Sequence, residues 1–233
     1  MTSIVQGPVV LERDGDVSVL RFTAGENRFN QDTLSALEGA LDEVEQSEAP
    51  TALVITGDGK FFSNGLDLAW LGEASDDGRT DVLRRVHGLL GRVLAFPTAT
   101  VAAINGHAFA AGAMLALACD FRVMRADRGF VCLPEVDLGL PFTGGMNALL
   151  RGRLTPTTAT RAMVFGERFA ASDALALGLV DHVVAEAEVL SRSVALVAPL
   201  AAKQRHAVKA IKRELHRDAL AALEADATTV KGF

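Results

Sequence analysis

The chain of 233 residues has no run of like charge long enough to form a tail. Its 23 basic and 29 acidic residues are interspersed, for a net charge of -6. That balance argues against a nucleic-acid footprint, which needs a clustered basic face. There are only two cysteines, Cys119 and Cys132, both in apolar surroundings, and both read as reduced, packed thiols. The five histidines, His87, His107, His182, His206 and His216, show no ligand spacing, so no metal site is expected. The one long apolar stretch, residues 99–118, is broken by Asn105, Gly106, His107 and Gly112. Those breakers favour a buried strand, a turn and a core helix over a membrane span. The N-terminus lacks the basic start and apolar run of a signal peptide, and a cytoplasmic location is expected.

What the chain does have is apolar residues, 49% of the total against 22% charged, enough for one sizeable core. Residues 9–12 and 17–22 are β-rich and joined by Arg13-Asp-Gly-Asp16, a hairpin signal. Leu34, Leu37, Leu41 and Val44 then recur at helical spacing, with Asn30 or Asp32 available as the N-cap. Apolar runs at 51–56, 99–104 and 121–124 read as buried strands, the first two leading into helices at about 81–94 and 111–119. Strand and helix in alternation predict an α/β fold with a parallel, helix-covered sheet. From Thr155 onward the pattern turns helical, with a helix start at Ser172 and Asp173 and a short β-like run at 179–184.

Three segments carry chemistry. Phe61-Phe-Ser-Asn-Gly-Leu-Asp-Leu68 and Ala108-Phe-Ala-Ala-Gly-Ala113 each follow a strand, and each can aim a backbone N–H at an anion. Small residues at such junctions also serve packing alone, so neither turn is decisive by itself. The third segment holds Glu135, flanked by Val131, Leu133, Val136, Leu138 and Leu140. Burial there would raise its pKa towards the range useful to a base. Asp137 is the competing acid and, on a strand, would share its face.

Taken together, four ordered blocks resemble the enoyl-CoA hydratase/isomerase, or crotonase, superfamily. They are Asn27-Arg-Phe-Asn30, residues 53–68, residues 102–120 and residues 133–141. The resemblance implies a spiral of ββα repeats in residues 1–185. Residues 186–233 would form a C-terminal helical region of the same fold that trimerises, commonly into dimers of trimers. It implies an acyl-CoA substrate and no separate cofactor, coenzyme A being part of the substrate. The thioester oxygen would be held by the N–H groups of Leu66 and Ala111. The backbone around Ser63, Asn64, Gly65, Asp67 and Leu68 would line the pantetheine arm, and Arg28, with Lys60 as a lesser candidate, would meet phosphates.

Family members that hydrate an enoyl thioester have a second glutamate two residues beyond Gly112, where this chain has Met114. A thioether cannot carry a proton. The resemblance therefore points to an isomerase that moves a 3-enoyl double bond to position 2 with Glu135 as the single base, Met114 and Phe142 walling off water. The segment 134–141 also looks more like that of monofunctional isomerases. Two alternatives stay open: hydration or another one-acid reaction, and a non-catalytic acyl-CoA binder.

Overall fold

The computed structural model describes residues 4–229, so residues 1–3 and 230–233 of the two expected segments lie outside it. The chain opens with three antiparallel strands, β1 (Ile4–Gln6), β2 (Val9–Asp14) and β3 (Val17–Phe22). The hairpin between β2 and β3 closes at the expected place, with Gly15 at φ +57 and Asp14 paired to Val17. Helix α1 (Gln31–Gln46) follows, and Asn30 is its N-cap, Oδ1 accepting from the Thr33 N–H at 3.0 Å.

Three strands then add in parallel: β4 (Ala52–Gly57), β6 (Thr100–Ile104) and β8 (Phe121–Arg125). Their side chains alternate between two cores. Leu53, Ile55, Ala102 and Ile104 face one; Ala52, Val54, Val101 and Ala103 face the other. Both faces are covered by helices, which is why these strands read as unbroken apolar runs. The last strand, β10 (His182–Val184), joins β8 to complete a seven-stranded sheet.

Each of the three parallel strands is followed by a short strand of a second sheet: β5 (Phe61–Ser63), β7 (His107–Phe109) and β9 (Val131–Cys132). Sequence periodicity does not reveal strands of two or three residues. The corners leading into them stack closely. A Cβ on Gly106 would lie 2.0 Å from the Lys60 carbonyl oxygen, and one on Gly129 would lie 2.6 Å from the Gly106 carbonyl carbon. Glycine is therefore obligatory at both corners. The result is a spiral whose repeats are closed by helices: α2 (Leu68–Glu73) and α3 (Asp76–Leu94), then α4 (Ala111–Ala118), then α5 (Gly144–Arg153). This is the α/β spiral of ββα repeats that the resemblance implies.

Beyond α5 come α6 (Pro156–Ala159), continued by a π turn to Val164, and α7 (Ala171–Ala176). Helix α7 starts one residue before the expected Ser172, after Ala170 and without a side-chain cap. In the C-terminal helical region α8 (Val189–Val197) and α9 (Arg205–Leu215) are separated around Pro199, and α10 (Arg217–Thr229) follows. Lys212 of α9 is buried against the spiral, its Nζ 2.6 Å from Asp120 Oδ2 and 2.8 Å from the Thr98 carbonyl. Helix α10 lies across α3 and α5 of its own chain. Leu223 sits where a Cβ on Gly145 would come within 2.7 Å of its Cα, and Asp226 accepts the Gly145 N–H at 2.5 Å.

Candidate active site

Two of the expected turns meet. An ideal Cβ on Gly65 would lie 2.9 Å from Ala110 Cβ and 3.2 Å from the Ala111 nitrogen. The backbone there is directional. Gly65 O accepts from the Phe29 N–H at 2.8 Å and Asp67 N–H donates to Phe29 O at 3.0 Å, so the intervening Leu66 N–H points the other way. Ala111 opens α4, where the first N–H groups lack an intrahelical carbonyl. Ala110 delivers that N–H by adopting φ 49, ψ -126, a conformation that favours glycine. Gly112 completes the junction, since a Cβ there would be 2.4 Å from the Ser63 carbonyl oxygen. Leu66 and Ala111 both line one cavity of ≈ 270 Å³.

Glu135 lines the same cavity. It stands in a 3-10 turn (Pro134–Val136) rather than on a strand, because Pro134 ends β-type pairing and opens the turn. Its neighbour Asp137 therefore does not share its face and is exposed. Glu135 is only 8% exposed, and its Oε2 has no hydrogen-bond partner among the described residues. Burial pushes its carboxyl up to about 7, opposed only by its own backbone N–H. The apolar flank named in the sequence contributes unequally: Val131 and Leu133 are buried, whereas Val136 and Leu138 are 47% and 49% exposed. Leu140 of the same segment lines the cavity with Glu135, as do Met114 and Met146 from α4 and α5. Glu135 is the only carboxylate lining it among the described residues.

The other expected residues divide into two groups. Arg28, Asn64 and Met114 line the cavity; Ser63, Gly65, Asp67 and Gly112 stand behind the lining and hold the turns. Ser63 Oγ donates to Asn27 O at 2.7 Å and accepts from Gly65 N–H, while Asp67 caps α2 through the Trp70 N–H at 3.2 Å. Phe142 is not in the lining but packs against the main core, and Pro141 and Met146 occupy the wall instead. The Arg28 charge is engaged by Glu26, Nη2 to Oε2 2.5 Å, and the same oxygen accepts from Asn64 at 2.7 Å. Hydrogen bonds from Asn64 and then Arg28 hold the Glu26 carboxyl below its usual range. Lys60 lies 5.4 Å over the Phe61 ring, outside the cavity.

Sequence reasoning missed Arg168, which lines the cavity 5.8 Å over the Phe109 ring. Its only local signal was a basic residue beside Phe169, which pairs back to Val131. It also missed Cys132 as a wall residue; burial pushes that thiol up to about 11 and keeps it protonated. His107 packs among Phe61, Phe109 and Phe130 at 5.0–5.6 Å between ring centroids. Burial first, then Lys60, Arg128 and Arg168, hold its pKa low.

A spiral of ββα repeats, with two free N–H groups and one buried carboxylate around an apolar cavity, defines a member of the crotonase class. The chain belongs to the enoyl-CoA hydratase/isomerase family, which it matches over residues 12–231. It is 38% identical over 206 residues to enoyl-CoA delta isomerase 2, peroxisomal, of Arabidopsis thaliana, spanning 83% of this chain and 85% of that one. Its fold matches human mitochondrial delta3-delta2-enoyl-CoA isomerase with a TM-score of 0.88 at 27% identity, covering 95% and 90% of the two chains. A probable enoyl-CoA hydratase of Mycobacterium tuberculosis H37Rv gives 0.89 at 30% identity, covering 95% and 94%.

Proposed function

We propose that the protein is an enoyl-CoA isomerase that converts a 3-enoyl-CoA to the trans-2-enoyl-CoA, as in fatty-acid β-oxidation. The observation that carries this reading is the lone carboxylate: Glu135 faces the cavity while the place of a second acid is held by buried Met114. The ionised Glu135 takes a proton from C2. The electron pair moves into the thioester, placing negative charge on its oxygen as a dienolate. The N–H groups of Leu66 and Ala111 form the oxyanion hole, each worth roughly 10²- to 10³-fold in rate. Glu135 then returns the proton at C4, and the double bond lies between C2 and C3. Atoms and charge balance within one substrate, with coenzyme A entering only as part of it. Arg28 and Asn64 at the mouth meet the polar arm of the thioester.

Incubation of the purified protein with a 3-enoyl-CoA tests this directly, the expected product being the 2-enoyl thioester with no water added. The likeness to the short-chain-enoyl-CoA hydratase of Clostridium acetobutylicum, 29% identical over 219 residues, supports a second reading, hydration of a 2-enoyl-CoA. Hydration faster than isomerisation would establish that reading and displace ours. For assembly we propose a homotrimer or dimer of trimers. Ile211 and Leu215 on α9 are 66% and 71% exposed in the single chain, and light scattering that reads a monomer mass would remove the proposal. A cytoplasmic location belongs to the same reading, and imaging of the tagged full chain decides between it and the peroxisome named for the plant relative.

A further inference from the structure

We infer that the site takes a short, unsubstituted hydrocarbon acyl tail, and that Leu83, Met114 and Met146 set its length as a closed inner wall. The inference rests on the isomerase reading and deepens it. The cavity lining grades from half-exposed Leu68 and Leu138 and exposed Arg168 at the mouth to Leu83, Met114 and Met146 inside, which are 1%, 1% and 7% exposed. Those three residues come from α3, α4 and α5, one each. Around these residues α3 packs on α4 and α4 on α5. Behind them α10 seals the outer side, with Leu220 and Leu223 against Gly91, and Leu223 against Gly145. At ≈ 270 Å³ the cavity is just below the lower end of small-molecule sites, about 300 Å³.

Polarity sets the second half of the inference. Arg28 and Arg168 are the cations of the lining, Arg28 engaged by Glu26 and Arg168 exposed over the Phe109 ring. The inner wall offers thioethers and a leucine, none of which can pair with a tail-end carboxylate. A hydroxyl or carboxylate at the end of the tail would therefore be stripped of water without compensation.

The test compares kcat/KM for the coenzyme A thioesters of 3-hexenoate, 3-dodecenoate and hex-3-enedioate. The wild type is expected to prefer hexenoyl over dodecenoyl by tenfold or more, and over the dicarboxylate by a hundredfold. Met146→Ala and Leu83→Ala are expected to move the hexenoyl-to-dodecenoyl ratio towards the longer chain by tenfold. Because the ratio is taken on one preparation, any unfolded fraction cancels. Continued gains of about fourfold per added methylene out to dodecenoyl would overturn the inference, as would a ratio that neither variant moves. No turnover of any thioester would instead sink the isomerase reading. The length inference is then read from calorimetric binding of hexanoyl- and dodecanoyl-CoA, and tighter dodecanoyl binding would overturn it.

Discussion

Glu135→Gln separates what the carboxylate contributes to chemistry from what it costs the fold. In the native protein the Glu135 carboxyl sits at about 7, whereas in the unfolded chain it returns to the ordinary 4.5. Between those values the native state keeps a proton that the unfolded state releases, so stability falls as pH rises. The loss is fully developed above about pH 7 and absent well below 4.5, and amounts to about 3 kcal/mol at 1.36 kcal/mol per pKa unit. Glutamine carries no charge, so its own packing and hydrogen-bonding cost is constant with pH. Denaturant unfolding of wild type and variant from pH 5 to pH 8, at one protomer concentration, is expected to show the variant gaining about 2.5 kcal/mol relative to wild type. In parallel, wild-type kcat/KM is expected to rise tenfold per pH unit below about 7 and level off above it. The variant is expected to lose at least roughly 10²- to 10⁴-fold. A stability difference that does not change with pH would show that the carboxyl is not desolvated in the native state. Undiminished turnover by the variant would remove it from the chemistry.

Three further outcomes follow from the same geometry. Ala110→Gly relieves the backbone at φ 49 and, set against the greater unfolded-state freedom of glycine, is expected to stabilise by about 1 kcal/mol in the same unfolding assay. Destabilisation there would mean that the Ala110 methyl matters more than its torsion. Met114→Glu places a second carboxylate beside Glu135 in the same wall, so the rising limb of the rate profile is expected to move above pH 7 and hydration of a 2-enoyl-CoA to become measurable. An unmoved limb would show that the two groups do not face one another. Lys212→Met strips the partly exposed Asp120 of its cation and removes a charge-assisted hydrogen bond, and is expected to cost about 2–3 kcal/mol in unfolding free energy. A cost below 1 kcal/mol would show that α9 docks without that pair.

Local residue pattern did not pair the two turns of the site; the family resemblance did. Asn30 capping α1 and Gly15 turning the first hairpin are local devices, and residue order reveals them. The strands of the second sheet span two or three residues, too few for any periodicity, so the segments around Leu66 and Ala111 read only as turns. Their meeting depends on Gly65 and Gly112 each admitting a backbone more than 40 positions away. Arg168 offered no pattern because its place is set by the pairing of Phe169 with Val131. Phe142 illustrates the converse, a partly buried apolar residue close to Glu135 in sequence that packs against the core instead of lining the cavity.

By itself the sequence determined which chemical groups exist and in what order: one glutamate at 135, a methionine at 114, and glycines where two turns need them. Those facts limit the reaction because proton transfer requires a titratable group and a thioether is none. Only the tertiary structure decided that Glu135 titrates near neutrality and that the cavity ends where it does. Desolvation and shape are set by atoms close in space, and here those atoms come from α3, α4 and α5, which no local pattern brings together.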